Sequence, residues 1–313
     1  MKVSVCTLAH GRDAHLRNLV AALRCSKRPP GELIVGVMQD ERYDLPQTSF
    51  PIRQIMLGSK EMCLARARNA AAAGANGDLL VFLDVDCMAH PSLIEDYAGV
   101  AADNKGVFMG EVRYLPKGVA ARSLDFRTFD TLSVEHSERA GPPPGKVGQC
   151  GDYRCFWSLN FAMRKSDFEM VGGFDEDYVG YGGEDTDFGR TIVTHDLRLW
   201  WVRGAKAYHQ YHPHHMPPVH HLDSVIENSE VFRRKWGEPT MQHWLRAFRL
   251  MGLIDRGPNG WVKLREPTKE DLALTRQQEH QPYASSSVIL EWLEERAAEG
   301  LDAEKAAPEI AAS

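Results

Sequence analysis

The sequence predicts an α/β fold with a mostly parallel sheet flanked by helices. Short apolar runs alternate with segments whose apolar residues recur at helical spacing, as expected of repeated strand and helix units. The run Leu79–Leu83 is apolar throughout, which is typical of a parallel strand buried on both faces. Acidic residues follow two of the runs, at the carboxyl ends where open α/β sheets bind their ligands.

The predicted elements follow the alternation of apolar runs with turn residues. Val3–Leu8 is the first run, residues 10–13 interrupt it, and apolar residues at helical spacing come next. Gly74 ends an alanine-rich helical stretch, as glycine commonly does. The turn-rich segment 140–145 predicts a mobile loop or the edge of an acceptor region. Strands are predicted at 3–8, 32–38, 52–57, 79–83 and 197–202, and helices at 16–23, 60–73, 165–171, 184–194 and 225–236. After 107–114 the pattern changes, and few segments have a clear period.

Composition and charge exclude several classes of protein. The net charge of −6 comes without long basic runs, so nucleic acid is not an expected partner. The six cysteines lack paired CxxC spacing, which indicates reduced thiols in a cytoplasmic protein. Met1 leads directly into a strand-like pattern, and no stretch reaches the roughly 18 apolar residues that span a bilayer. Any membrane contact is therefore expected to be peripheral, at the inner face.

Two carboxylates flank a valine in Asp84-Val85-Asp86, directly after the buried run. Their position predicts that both project from the carboxyl end of a strand. Hard carboxylate oxygens at that point suit Mg²⁺ or Mn²⁺, which typically bridges a few protein ligands to substrate phosphates. The alternative is a solvated strand end, because an Asp-x-Asp tripeptide is common by chance.

A second group of acidic residues follows paired glycines and opens a predicted helix. Glu184, Asp185 and Asp187 fall in its first turn, where negative charge is favoured, and capping of the helix is their alternative role. For Asp185 we expect a catalytic role, since an attacking hydroxyl needs a positioned carboxylate base. Tyr181, just before the helix, is either a stacking platform for a substrate ring or a partly buried aromatic residue.

Histidines are concentrated in the segment 209–221, which holds six of the thirteen in the chain. Neutral imidazole binds Mn²⁺ or Zn²⁺, so a histidine here is suited to complete a coordination begun by Asp86. We expect one or two of the six to be metal ligands and the others to be bystanders.

These three segments, in this order, resemble the GT-A glycosyltransferases of the family 2 type. The region Phe156–His214 also resembles the carboxyl-terminal catalytic region of the β-1,4-galactosyltransferases, and the whole resemblance covers residues 1–250. It implies a GT-A fold and an inverting transfer that depends on Mn²⁺ or Mg²⁺. The implied donor is a UDP-sugar or another NDP-sugar, and the implied acceptor is a hydroxyl group on a glycan or glycolipid.

The resemblance assigns roles to particular residues. In those families the second aspartate of the Asp-x-Asp binds the metal and the first contacts the nucleotide, which points to Asp86 and Asp84. Asp185 becomes the inverting base, and the metal-binding histidine falls on His209 or His212. The other implied residues are Ala9, His10, Arg12, Asp40, Arg68 and Val85 for the nucleotide sugar, and Glu184, Tyr181, Gly183 and Trp157 for the acceptor.

Some of these assignments have alternatives. Arg68, on an alanine-rich helix, is equally compatible with a surface ion pair. His212 and His214 match a His-x-His ligand pair that occurs in some relatives. Where the galactosyltransferases carry an aromatic pair followed by two glycines, residues 156–159 read Phe-Trp-Ser-Leu. The resemblance therefore does not extend to galactose as the donor sugar.

The expected organisation is a GT-A catalytic domain over residues 1–222, with a nucleotide-sugar-binding half at 1–115 and an acceptor and metal-completing half at 116–222. A helical extension is expected at 223–265, and a helical, partly disordered tail at 266–313. Two other functions remain open. A nucleotidyltransferase would need a glycine-rich basic loop, of which residues 10–13 are a poor version. A non-catalytic sugar-nucleotide-binding protein would lack the base, whereas Asp185 is present.

Overall fold

The chain divides into two compact units in the computed structural model. The first consists of Met1–Val179 and Glu184–Tyr211, and the second of Gly180–Gly183 and His212–Ser313. The first unit thus ends at Tyr211, whereas the sequence suggested a boundary after residue 222. Parts of the predicted loop at 140–145 and of the predicted tail lie outside the described residues, which are 1–60, 62–120, 124–136, 139, 141–142, 144–258, 260–276 and 286–299.

The first unit is built on one sheet, which has nine strands among the described residues. The strands are β1 Val3–Ala9, β2 Glu32–Val37, β3 Ile52–Met56, β4 Leu79–Leu83, β5 Cys87–Ala89, β6 Val107–Tyr114, β7 Val147–Cys150, β8 Asn160–Arg164 and β9 Leu199–His209. Their order is β3-β2-β1-β4-β8-β6-β9-β5, and β7 also pairs with β9. The pairs β3·β2, β2·β1 and β1·β4 are parallel, and so is the pair β6·β9. Strand β8 is antiparallel to both β4 and β6.

Alternate residues of a central strand pack on opposite faces of this sheet. In β4, Leu79, Val81 and Leu83 belong to one apolar cluster, whereas Leu80 and Phe82 belong to another. Every residue of β4 is buried. The prediction of a strand covered on both faces is therefore confirmed, and it explains why the run contains no polar residue.

Helices cover the two faces of the sheet. Residues of α1 and α3 belong to the first apolar cluster, and residues of α2, α5 and α6 belong to the second. Helix α2 approaches β2 closely, because a Cβ atom added to Gly36 would stand 2.5 Å from the carbonyl oxygen of Ala67. The helices of the first unit are α1 Asp13–Arg24, α2 Leu64–Gly74, α3 Leu93–Asp103, α4 Phe126–Leu132, α5 Lys165–Met170 and α6 Glu184–Thr194.

The second unit has its own apolar core, to which Leu245, Phe248, Ile254 and Leu293 contribute. The structure adds an antiparallel hairpin to the helical extension that the sequence suggested. Each strand of this hairpin has four residues, which is too short for a periodic pattern to reveal. The elements of this unit are α7 Leu222–Trp236, α8 Gln242–Leu250, β10 Ile254–Gly257, β11 Gly260–Lys263, α9 Lys269–Thr275 and α10 Ser286–Ala298.

Candidate active site

The candidate site lies along the edge of the sheet where β1, β2 and β4 end. The register pairs Ala9 with Val37 and Cys6 with Phe82, so the three parallel strands reach this edge together. Ligand crevices of open α/β sheets form outside such an edge. The segments that follow these strands carry five of the residues singled out in the sequence, namely His10, Arg12, Asp40, Asp84 and Asp86.

Asp86 is held between β4 and β5. Its carbonyl oxygen accepts a hydrogen bond from the backbone N–H of Gln210 at 2.7 Å. Pairing of β5 with β9 sets Cys87 opposite His209, which brings the His209 ring beside the Asp86 carboxylate. Nε2 of His209 lies 3.5 Å from Oδ1 of Asp86, and Oδ2 of Asp86 is paired with the guanidinium of Arg12. Asp86 and His209, which are both candidate metal ligands from the sequence, therefore lie side by side.

The donor atoms of Asp86 and His209 suit a divalent metal. Both side chains are buried, with 6% and 8% of their surface exposed. The His209 ring packs against Tyr114, with ring centroids 4.8 Å apart. A carboxylate oxygen beside an imidazole nitrogen is a donor set that Mn²⁺ accepts, and packing that fixes the ring orients the ligand in advance.

A buried arginine connects the Asp-x-Asp segment to the first turn of α6. Arg68 is 4% exposed, and its Nη2 lies 3.0 Å from Oδ1 of Asp84 while its Nη1 lies 3.5 Å from Oε1 of Glu184. This location rules out the surface ion pair that was the alternative for Arg68. Burial raises the pKa of both Asp84 and Glu184, the neighbouring charge of Asp185 adds to the rise, and the Arg68 guanidinium opposes it.

The two carboxylate oxygens of Asp185 differ in their surroundings. Oδ2 accepts a hydrogen bond from the backbone N–H of Ser158 at 3.0 Å. Oδ1 is buried, and no described residue hydrogen-bonds to it. Asp185 lies in the first turn of α6. A carboxylate oriented through one oxygen is able to accept a proton on the other, as a general base must.

The remaining nucleotide-binding candidates differ in what they can offer a ligand. Ala9 and Val85 are buried in the core of the sheet, so only their backbone atoms are available. Nδ1 of His10 lies 2.6 Å from the carbonyl oxygen of Met38, which ties the segment after β1 to the one after β2. The carboxylate of Asp40 accepts hydrogen bonds from the backbone and hydroxyl of Ser59, at 3.1 and 2.9 Å.

Three candidates belong to the second unit. The ring of Tyr181 is stacked against His221 and Trp244, with centroids 4.7 and 5.9 Å apart. Packing in the core of this unit is thus the role of Tyr181 that the structure shows, and acceptor contact stays a prediction. Gly183 has a φ of +94°, a conformation that favours glycine. His212 packs against the ring of His214, and its role as a metal ligand stays a prediction.

Sequence reasoning missed three residues of this region. Ser158 holds Asp185 through a backbone N–H, which carries no side-chain signature. Tyr114 fixes the His209 ring from a strand distant in sequence. Arg139 lies over the rings of Trp157 and Trp201, at 5.6 and 5.1 Å from their centroids, and it comes from a part of the chain for which the sequence predicted no site. Only the contacts of the folded chain reveal these roles.

Two protein families match the chain. The family described as Glycosyl transferase family 2 matches residues 39–172, and the one described as N-terminal domain of galactosyltransferase matches residues 146–215. Validoxylamine A glucosyltransferase from Streptomyces hygroscopicus subsp. limoneus is 25% identical over 264 residues, which cover 74% of this chain. The match spans 56% of the length of that relative.

Solved structures resemble the chain in fold. GalNAc-T7 with UDP, GalNAc and Mn²⁺ has a TM-score of 0.52 at 16% identity, over 67% of this chain and 44% of that chain. Residues 1–349 of TarS from S. aureus have a TM-score of 0.53 at 14% identity, over 79% of this chain and 69% of that chain. The predicted fold class, a GT-A fold, is confirmed. Among the helices in the described ranges, none has the length and apolar character that a membrane crossing requires.

Proposed function

We propose that this chain, a GT-A glycosyltransferase of the family 2 type, transfers a sugar from a UDP-sugar to an acceptor hydroxyl with inversion and with the help of a divalent metal. The arrangement of Asp185 carries the proposal. Its Oδ2 is fixed by Ser158 and its buried Oδ1 has no partner among the described residues, as a base waiting for a hydroxyl proton requires. A glycan or glycolipid is the proposed acceptor.

The proposed reaction is a single displacement. The acceptor hydroxyl attacks the anomeric carbon from the face opposite the leaving diphosphate, and Oδ1 of Asp185 takes its proton as the new bond forms. Glu184, which is next to Asp185 and paired with Arg68, would hold the acceptor. Asp84 and the segments after β1 and β2 border the nucleotide, with Asp40 as an acceptor for the base.

Asp86 and His209 would hold the metal, with His212 proposed from the sequence pattern as a further ligand. When bound, Mn²⁺ or Mg²⁺ would neutralise charge that develops on the departing nucleotide diphosphate. The chain's own part is to present a buried, oriented carboxylate and imidazole. Arg12, which is paired with Asp86, brings a second positive charge to the position where phosphates would lie.

Nucleotide release from a panel of UDP- and GDP-sugars tests this proposal. We expect the wild type to release nucleotide from one donor with Mn²⁺ and to lose this activity with EDTA. Asp86→Ala should lower the Mn²⁺-dependent rate by at least about 100-fold, the scale of losing one preorganised electrostatic contact. Once an acceptor is found, the configuration of the product at its anomeric carbon is read by NMR, and inversion is expected.

Asp103→Ala is the matched control, because Asp103 is an exposed carboxylate at the end of α3. It should leave the rate unchanged. If neither release nor binding of any sugar nucleotide is detected, the proposal fails, and a product of retained configuration would refute the role of Asp185 as an inverting base.

A further inference from the structure

The guanidinium of Arg139 packs against two tryptophan rings, and two of its nitrogen atoms have no hydrogen-bond acceptor among the described residues. It lies over Trp157 and Trp201, at 5.6 and 5.1 Å from the ring centroids. Its Nε and Nη2 atoms are buried, and no described residue accepts a hydrogen bond from them. Burial lowers the pKa of Arg139, although Tyr114 and Asp185 are among the groups that oppose the shift.

Burial of these donor atoms costs free energy unless a ligand accepts hydrogen bonds from them. A buried cation needs either a charge partner or hydrogen-bond acceptors, and the two indole faces supply only part of that compensation. A guanidinium is a planar fork of donors whose geometry matches a carboxylate or a phosphate. Arg139 therefore has the stereochemistry of an oxyanion receptor.

Arg139 lines a cavity in the half of the sheet formed by β6 and β9. Gly110, Arg113 and Trp201 are also part of its wall. The two carboxylates of the wall are already engaged, since Glu135 pairs with Arg113 at 2.6 Å and Glu111 accepts a hydrogen bond from the backbone of Gly204 at 2.7 Å. Neither of these carboxylates therefore uses the hydrogen-bond donors of Arg139, and these donors suit an anion that enters the cavity.

The position of this cavity favours the acceptor over the donor as the source of the anion. Its walls contain no residue of β1, β2 or β4, whose ends border the proposed donor site. Trp157, against which Arg139 packs, directly precedes Ser158, the residue that orients the proposed base Asp185. The contact of Arg139 with Trp157 therefore connects the cavity wall to the segment that orients the proposed base.

We propose that Arg139 binds an anionic group of the acceptor, a carboxylate or a phosphate, and so selects negatively charged acceptors. This inference rests on the proposed glycosyl transfer. Arg139 would be a specificity-determining residue, because it contacts a part of the acceptor other than the hydroxyl that reacts. Trp157 and Trp201 hold the guanidinium plane in place and exclude water from it.

Two pairs of probes test the proposal by NMR titration of the full chain with UDP and Mn²⁺ present. Methyl β-glucuronide is compared with methyl β-glucoside, and glucose 6-phosphate with glucose. We expect at least one anionic probe to bind the wild type about tenfold to 100-fold more tightly than its neutral partner, the range for charge-assisted hydrogen bonds. Arg139→Gln should abolish the preference, and Arg139→Lys should retain part of it.

Arg198→Gln is the matched control, because Arg198 also lies over a tryptophan, Trp200, but is exposed and away from the cavity wall. It should keep the wild-type preference. The proposal is overturned if the wild type shows no preference for either anion, if the preference survives in folded Arg139→Gln, or if that variant loses UDP affinity instead. Failure of the wild type to bind UDP at all would refute the proposed function itself.

Discussion

At the scale of single residues, the groups that orient the carboxylates of the site are different from the carboxylate proposed to act as the base. Ser158 fixes one oxygen of Asp185 through its backbone, so the orientation of the carboxylate does not depend on a side chain that could rotate away. Arg68 does the same for Asp84 and Glu184 with one buried guanidinium. Because burial alone would favour the neutral forms of these acids, the arginine also helps to keep negative charge at the site.

Asp185→Asn should remove the base while leaving the site intact. The amide can still accept the hydrogen bond from Ser158, but it cannot take a proton at neutral pH. We therefore expect kcat for transfer to fall by about 10²- to 10⁴-fold, the usual contribution of a general base. Calorimetry should find the affinity for UDP and Mn²⁺ within about twofold of the wild type, since the substitution does not remove a metal ligand.

Asp177→Asn is the control for this substitution, because Asp177 is an exposed carboxylate in the segment before α6. It should transfer at the wild-type rate. A full loss of UDP binding in Asp185→Asn would instead assign Asp185 a structural role.

The side chains proposed to carry the chemistry are easier to select from sequence than the groups that position them. Asp84, Asp86 and Asp185 were recognisable because acidic residues at the end of an apolar run or the start of a helix are local features. His209 was one of several histidines, and only the pairing of β5 with β9 sets it beside Asp86. Positions defined by long-range pairing have no local signature.

At the scale of elements, a single carboxylate ties together the amino-terminal half of the sheet. Glu32 of β2 accepts hydrogen bonds from the hydroxyl of Ser4 in β1, from Asn76 before β4, and from Arg53 in β3. Burial would raise the pKa of Glu32, but these hydrogen bonds outweigh it and lower the pKa to about 2. The charged form of Glu32 is therefore part of what holds β1, β2 and β3 together.

Glu32→Gln should destabilise the protein in a pH-dependent way. Because the folded-state pKa of Glu32 is below its ordinary value of 4.5, the contribution of Glu32 to stability is present above that pH and is lost as pH falls towards 2. We expect the unfolding free energy of the variant to be lower than that of the wild type by about 1–3 kcal/mol at pH 7. This difference should narrow between pH 4.5 and 3. Urea denaturation across this range measures the gap.

Glu41→Gln is the control for this experiment, because Glu41 is an exposed carboxylate just after β2. Its unfolding free energy should follow the wild type at every pH. A gap for Glu32→Gln that stayed constant with pH would mean that packing, rather than charge, accounts for the loss.

Elements with a strong local pattern were predicted well, and short or interrupted ones were not. The helix at 184–194 has the predicted bounds, since acidic residues in its first turn mark its start. Strand β9 continues to His209, well beyond its predicted end at 202. A register shift between Gly110 and Glu111 accompanies this extension, and such irregularity hides a continuing strand from periodicity.

At the scale of the whole molecule, folding and ligand binding should be linked. A ligand that binds only the folded state stabilises it by about 2.7 kcal/mol when its free concentration is 100 times Kd. The proposed metal and nucleotide sites both belong to segments that end the central strands of the first unit, so unfolding of that unit would destroy them.

Mn²⁺ and UDP together should raise the Tm of the wild type by more than the sum of their separate effects, because the metal would bridge protein carboxylate to diphosphate. EDTA should remove this excess. In Asp86→Ala the excess should disappear while any shift from UDP alone persists, and Asp103→Ala should behave as the wild type. Differential scanning fluorimetry measures the Tm with Mn²⁺ alone, with UDP alone, with both, and with both plus EDTA. If the Tm increase with UDP and Mn²⁺ is unchanged when EDTA is added, nucleotide binding does not use the Asp86 metal site. The proposed role of the metal in transfer would then lose its structural basis.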